Sequence, residues 1–392
     1  MLLPLTLLSL AGVRNADRAA LVSLFELLGG YHWTINDGWD VDGGTDPCVH
    51  TERWHGVGCI DPCNLWFDGP DCKFGRVTAI NLRNNNLTGS ITNWTGLGEL
   101  HNLTWLDLSD NSISGTVPAE IGSVQNLAVL NLGSNRLDGP LPTSMGDLNS
   151  NGVVELTDLN LENNRLTGTL PSSLGKHRGL KMMQLAFNAI SGSLPAEFVN
   201  LTQAQVLQLN SNQLEGTLPE DIGEMRALRY VNLTTNNISG TLPPSVGHLH
   251  NLLDLSLGEN QLSGSLPLEL GLLYSLRYLK MHDNRLDANF TRFTTLGDLR
   301  KLITLDLYQN NMHGELPPSV QNMSSLKYLY LDNQHYRALR QYYCGQRLPN
   351  NGKYNYIIVK EEYRTMTSIP CEDMHDTNFA FHSLQESGVY PD

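Results

Sequence analysis

An asparagine returns as Asn85, Asn111, Asn135, Asn164, Asn188, Asn212, Asn236, Asn260, Asn284 and Asn310, most often at a 24-residue interval, inside the pattern LxLxxNxLxG. A repeat of that length commits a chain to stacked supersecondary units, each burying its apolar face on its neighbours. The usual reading of 392 residues as two or three compact domains therefore gives way to one extended core. Each unit opens on a short apolar alternation, such as Leu130-Asn131-Leu132 or Leu207-Gln208-Leu209, which predicts a strand with its leucines turned inward. Strands from successive units must then stack in parallel. The recurring asparagine both donates and accepts, so it can partner backbone groups in a buried turn. The ten asparagines are thus expected to form a structural ladder.

Beyond the asparagine most units continue L-x-G-x-L-P, as in Leu166 to Pro171 and Leu214 to Pro219. Glycine relieves a tight backbone there and proline ends the segment. Amphipathic stretches such as SSLGKHRGLKMM follow and pack on the next unit. With its SGTLP and TGTLP signatures, the repeat closely resembles the plant-type leucine-rich-repeat class of receptor-kinase ectodomains and polygalacturonase inhibitors. The fold implied is α/β: a right-handed leucine-rich-repeat solenoid with a parallel concave sheet. Its convex side would carry short helices or 3-10 turns and short second strands, with disulfide caps at both ends.

The expected organisation is a signal peptide over 1–16, an N-terminal cap over 17–75, about eleven repeats over 76–336, and a C-terminal cap and tail over 337–392. The last repeat is degenerate, with Gln334 in the asparagine position. Residues Leu2 to Leu10 form the short apolar run of a secretory signal, and no later segment is apolar for the roughly 18 residues a membrane span needs. Asp17 to Leu28 reads as an amphipathic helix.

The string DPCVHTERWHGVGC resembles the N-terminal cap of secreted leucine-rich-repeat proteins, including algal and protist forms. That resemblance implies a Cys48–Cys59 disulfide. Cys63 and Cys72 bracket an insert and make a second local disulfide the economical reading; zinc held by the four cysteines lacks the CxxC pairs that favour it. Cys344 and Cys371 flank GKYNYIIVKEEY, a candidate strand or hairpin over the last repeat, and are expected to pair. Cysteines confined to the caps suit an oxidising compartment. Candidate glycosylation sites are Asn86, Asn93, Asn102, Asn200, Asn237, Asn289 and Asn322; Asn232 also lies in a sequon but falls on the inner wall, where a glycan would obstruct binding.

Between the inward leucines stand Asn81, Asp107, Asn131, Asn160, Gln184, Gln208, Asn232, Ser256, Lys280, Asp306 and Tyr330, which alternation turns into the concave space. The early part of this row is amide-rich and suits a hydrated face. Later units differ. Tyr278, Tyr308, Tyr328 and Tyr330, with Arg277, Lys280, His282, Asp306, Lys327 and Tyr230, form the candidate partner-binding patch, since tyrosine and arginine supply much of the energy at interfaces.

A net charge of −14 disfavours nucleic acid as a partner. The sequence offers no GxSxG, HExxH or phosphate-cradling loop, so no catalytic site, cofactor or metal is expected. The expected function is recognition of a protein or peptide, such as a cell-wall enzyme or a receptor, on an extracellular chain acting in signalling, defence or enzyme inhibition. An ectodomain fragment of a receptor kinase and an ice-binding surface are the alternatives.

Overall fold

The computed structural model describes residues 5–43, 45–48, 53–60, 76–314, 316–331, 356–360 and 366–369. Cys63, Cys72, Gln334, Cys344 and Cys371 lie outside them, and so do the two further disulfides expected from the sequence. The chain divides into two compact units, Met1–Gln213 and Leu214–Asp392.

In the first unit a helix, Leu5–Leu27, takes in both the apolar run and the amphipathic stretch that follows it. Val57–Ile60 pairs antiparallel with Arg76–Asn81. From there the pairing is parallel, through Trp105–Asp107, Val129–Asn131, Asp158–Asn160, Met182–Gln184 and Val206–Gln208. Leu106, Leu130, Leu159, Met183 and Leu207, at the centres of these strands, are at most 1% exposed. Short 3-10 turns such as Ala119–Ser123 and Ser172–Lys176 form the opposite side. Between them run Thr88–Ser90, Ser112–Gly115, Arg136–Pro140 and Arg165–Thr167 as a second parallel sheet.

The N-terminal end of this unit is closed by side chains rather than by another repeat. Phe25, Trp33, Trp39 and Trp54 pack as a cluster with ring centroids 4.8–5.6 Å apart, Phe25 stacked on Trp39 and Trp33 edge-on to it. Arg18 lies across Trp54 and gives its guanidinium hydrogens to the carbonyls of Asp40, Val41, Gly43 and Thr45, which holds that loop against the helix. Asp17, buried, accepts from both Arg76 and the Val77 backbone N–H, so its charge is paired as well as hydrogen-bonded. The Cys48–Cys59 disulfide fastens the loop to the first strand.

In the second unit Tyr230–Asn232, Asp254–Ser256, Tyr278–Lys280, Thr304–Asp306 and Tyr328–Tyr330 pair in parallel, one residue opposite one residue. Tyr356–Lys360 adds a parallel strand beside Tyr328–Tyr330 and folds back antiparallel onto Met366–Ile369. A 3-10 turn, Phe290–Arg292, follows Arg285–Leu286 where the sequence departs from L-x-G-x-L-P, and buried Phe290 fills that position of the core.

The asparagines do the same work in both units. Nδ2 of Asn188 donates to the carbonyls of Leu161, Leu185 and Ala186, and its Oδ1 accepts from the Leu166 N–H. In the same unit Asn111, Asn135, Asn164 and Asn212 accept from the N–H groups of Leu87, Ile113, Leu137 and Ile190, and each donates to a leucine carbonyl of the repeat before its own. In the second unit Asn284 bonds in this way to Leu257, Met281, His282 and Leu262. Asn236, Asn260 and Asn310 accept from Leu214, Ile238 and Leu286, and donate to the Leu233, Leu257 and Leu307 carbonyls of their own turns. The residue before each ladder asparagine is left-handed, with φ between 50° and 57° even where it is Phe187 or Thr235. Such a conformation is costly for a side chain bearing a Cβ, and the asparagine bonds on either side hold it. The first asparagine has no preceding repeat to join. Asn85 instead exchanges two hydrogen bonds with the backbone of Ile35 in the cap.

The 149–152 segment is an exposed loop anchored at its first residue. Asn149 is buried, takes a left-handed turn and donates to the Leu127 carbonyl 2.7 Å away.

Candidate binding face

Each of the five tyrosine-bearing or intervening strands in the second unit begins on a residue whose side chain leaves the sheet, skips one buried leucine or valine, and ends on another that leaves it. The registered pairs therefore define two rows. One reads Tyr230, Asp254, Tyr278, Thr304, Tyr328, and the other Asn232, Ser256, Lys280, Asp306, Tyr330. Tyr230 and Tyr328 are 46% and 37% exposed. The aromatic residues of the first row are thus not adjacent: an Asp or a Thr stands between each pair, and the rings recur at every second strand.

The charges on this face are largely matched internally. Lys280 Nζ lies 5.4 Å from the Tyr278 ring centroid, a cation–π distance, and 3.8 Å from Oδ2 of Asp254 on the neighbouring strand. His282 brings Nδ1 to 3.1 Å from Oδ2 of Asp306, off the axis of a well-aligned hydrogen bond, so the contact is best described as an ion pair. Asp306 also accepts from the Tyr308 backbone N–H. The interaction with the Asp306 carboxylate, aided by Asp283 and Glu259, holds the His282 imidazole above its ordinary pKa against the opposing effect of burial. Its ring covers Gly258 of the preceding repeat, where a Cβ would fall 2.5 Å from the ring. Lys280 and His282 are consequently matched by Asp254 and Asp306.

Arg277 and Lys327 stand just before their strands, exposed, and Arg229 does the same before Tyr230. Arg229 is missing from the patch expected from the sequence. Its signal was available: Leu228-Arg229-Tyr230, Leu276-Arg277-Tyr278 and Leu326-Lys327-Tyr328 are one motif in alternate repeats, visible only when repeats are compared two apart. In the first unit, exposed Trp105 and Phe187 also stand out from a face otherwise rich in amides.

Of the sequon asparagines, Asn86, Asn93, Asn200, Asn237 and Asn322 are exposed and Asn102 and Asn289 half-buried. No described helix is long and apolar enough to cross a membrane.

The stacked strands, the 3-10 turns opposite them and the asparagine bonds define a leucine-rich-repeat protein, and its repeats are of the plant extracellular type. Family models described as "Leucine rich repeat" match residues 154–214 and 102–124, 126–148, 227–249 and 301–323. An inactive leucine-rich repeat receptor-like serine/threonine-protein kinase of Arabidopsis thaliana is 42% identical over 65 residues, 17% of this chain and 9% of that protein. Among solved structures, the ectodomain of the Arabidopsis thaliana membrane receptor kinase GASSHO1/SCHENGEN3, in complex with CASPARIAN STRIP INTEGRITY FACTOR 2, aligns at a TM-score of 0.68 and 31% identity. The alignment covers 81% of this chain and 35% of that one. The ectodomain of the Arabidopsis receptor kinase HAESA, in complex with a peptide hormone ligand, aligns at 0.57 and 25% identity, covering 82% and 54%. A plant ice-binding protein aligns at 0.60 and 26% identity, covering 77% and 89%. This chain thus spans about a tenth of the curated relative and about a third of the GASSHO1/SCHENGEN3 ectodomain.

Proposed function

We propose that this chain is a non-enzymatic recognition module of the extracellular space, either secreted or the outer part of a longer receptor, that binds a protein or peptide on the sheet face of its second unit. The observation that carries this reading is the recurrence of tyrosines, Tyr230 and Tyr328 exposed and Tyr278 and Tyr330 half-buried, on strands held in register. Large rings on a rigid sheet lose little conformational freedom on binding and bury much area, which is how a few residues dominate an interface. Lys280, held by Asp254 and lying over the Tyr278 ring, fixes that ring beforehand and lowers the ordering cost of association. The receptor ectodomains to which the chain is similar, one in complex with CASPARIAN STRIP INTEGRITY FACTOR 2 and one with a peptide hormone ligand, support the same reading. Placement in an oxidising compartment draws support from the Cys48–Cys59 disulfide and the exposed sequons.

A pull-down from native extracellular fluid with the wild type and a Tyr278→Ala, Tyr328→Ala, Tyr330→Ala variant tests the assignment. The variant is expected to lose its partner while melting like the wild type; retention of every partner at equal affinity sinks the proposal. Hydrolysis of polysaccharide by purified protein, abolished on changing His282, would instead point to an enzyme.

A second reading, an ice-contacting surface, is favoured by Thr88, Ser90, Ser114, Thr116, Thr167 and Thr169 on or beside the second sheet of the first unit and by the similarity to the plant ice-binding protein. Asp138 and Pro140 interrupt that array. Thermal hysteresis of the purified protein decides it.

A further inference from the structure

The Arg/Lys–Tyr motif of the second unit occurs on alternate strands. Arg229–Tyr230, Arg277–Tyr278 and Lys327–Tyr328 are separated by Leu253–Asp254 and Ile303–Thr304, and the registers place each pair two strands from the next. Neighbouring strands lie about 4.8 Å apart, so cation and ring recur together roughly every 9.6 Å. Arg229, Arg277 and Lys327 are exposed, and no carboxylate partner is found for them among the described residues, unlike Lys280 and His282 beside them.

A ligand lying along this row has to repeat at the same distance. An extended β-strand repeats at about 6.7 Å for each pair of residues and falls out of step after one interval. A polyproline II helix turns once in three residues with a rise of about 3.1 Å, a repeat of roughly 9.3 Å, and stays within about 1 Å of the ladder over both intervals. Its chemistry suits the face as well. Such a helix has no internal hydrogen bonds, so its carbonyls accept from the tyrosine hydroxyls and cationic side chains, and its proline rings lie on aromatic faces. The carboxylates of the face are already engaged, Asp254 with Lys280 and Asp306 with His282 and the Tyr308 N–H, and so offer little to the hydroxyls of a sugar chain.

We infer that the Arg229–Tyr230, Arg277–Tyr278 and Lys327–Tyr328 ladder receives a polyproline II segment with an acidic side chain at every third residue, each turn placing one carboxylate on a cation and a proline on the adjoining ring. This rests on the peptide-binding assignment above and names the class of peptide. Unbound cations at a fixed spacing read charge position as well as charge.

The test uses fluorescence anisotropy with the whole chain and labelled (Pro-Pro-Glu)4. The comparison is a peptide of the same composition with its four glutamates contiguous. The contiguous peptide should bind at least ten-fold more weakly. An R229E, R277E, K327E variant should lose (Pro-Pro-Glu)4 and gain (Pro-Pro-Lys)4, and the gained binding shows that the variant is folded. Equal affinity for the two glutamate peptides overturns the inference, as does a charge-reversed variant that still prefers glutamate. Binding of an acidic oligosaccharide where (Pro-Pro-Glu)4 fails also overturns it. If the tyrosine variant loses its native partner but the wild type ignores (Pro-Pro-Glu)4, this inference fails and the broader assignment stands; a tyrosine variant that keeps every partner removes both.

Discussion

In the first unit the two residues that open each repeat strand of the face read Thr104–Trp105, Ala128–Val129, Thr157–Asp158, Lys181–Met182 and Gln205–Val206; in the second they read Arg229–Tyr230, Leu253–Asp254, Arg277–Tyr278, Ile303–Thr304 and Lys327–Tyr328. The first series has little order in chemical type, whereas the second alternates. Behind both lie the same leucines, the same asparagine bonds and the same left-handed residue. The repeat interior thus constrains the strand without constraining what the strand displays, because side chains on the two faces of a sheet meet different surroundings. The two units also differ in how they hold histidine. His177 in the first is buried, with Nε2 donating to the Met145 carbonyl, and burial pushes its pKa down. His282 in the second is held up by Asp306.

If the interiors are equivalent, removing a ladder asparagine should damage both units alike. Asn188→Ala and Asn284→Ala each strand one backbone N–H and take one of two donors from three carbonyls, a loss of about 1–3 kcal/mol by chemical denaturation. A small effect in one unit alone would break the equivalence.

The histidines should pull the units apart as pH changes. His177 contributes stability that is present above the ordinary imidazole pKa and is lost as pH falls toward its lowered value. His282 contributes stability that is present below the ordinary value and is lost as pH rises through its raised one. Hydrogen exchange compared across the ordinary imidazole range should therefore show protection falling around His177 and rising around His282 as the solution is acidified. A response around His282 that persists in His282→Gln would exclude it as the cause.

A smaller effect tests the shared strain. Phe187→Asn in the first unit and Thr235→Asn in the second put a residue tolerant of left-handed backbone where φ is 55° and 57°, and should each raise stability by about 0.5–1 kcal/mol in thermal melts. Thr235 gives up a hydrogen bond to Glu259, so its gain should be the lesser. Least of all, Arg83→Ala removes an exposed ion pair with Asp110 and should change stability by under about 0.5 kcal/mol.

Much of the fold was legible because its cause is local and repeated. A leucine alternation followed by asparagine has one way to satisfy its backbone, and the run from Asn85 to Asn310 states it again in every unit. The face was legible only in part. Position in the repeat told which side chains leave the sheet, but not that Asp254 would draw Lys280 aside or that Asp306 would hold His282, since those pairs join residues 26 and 24 apart in the chain. Nor does any single repeat contain a motif whose period is two repeats. Nothing in the neighbours of Asn149 announces the Leu127 carbonyl, 22 residues back, that it reaches.

Asn85 meets the cap through the backbone of Ile35 by donating once and accepting once, the same vocabulary each later asparagine uses with its neighbour. The cap strand Val57–Ile60 meets the sheet antiparallel, yet Ile35 gives the first ladder asparagine both partners its amide needs. The ladder thus starts with its first amide satisfied, and among the described residues no buried polar group at the head of the row is left to fray.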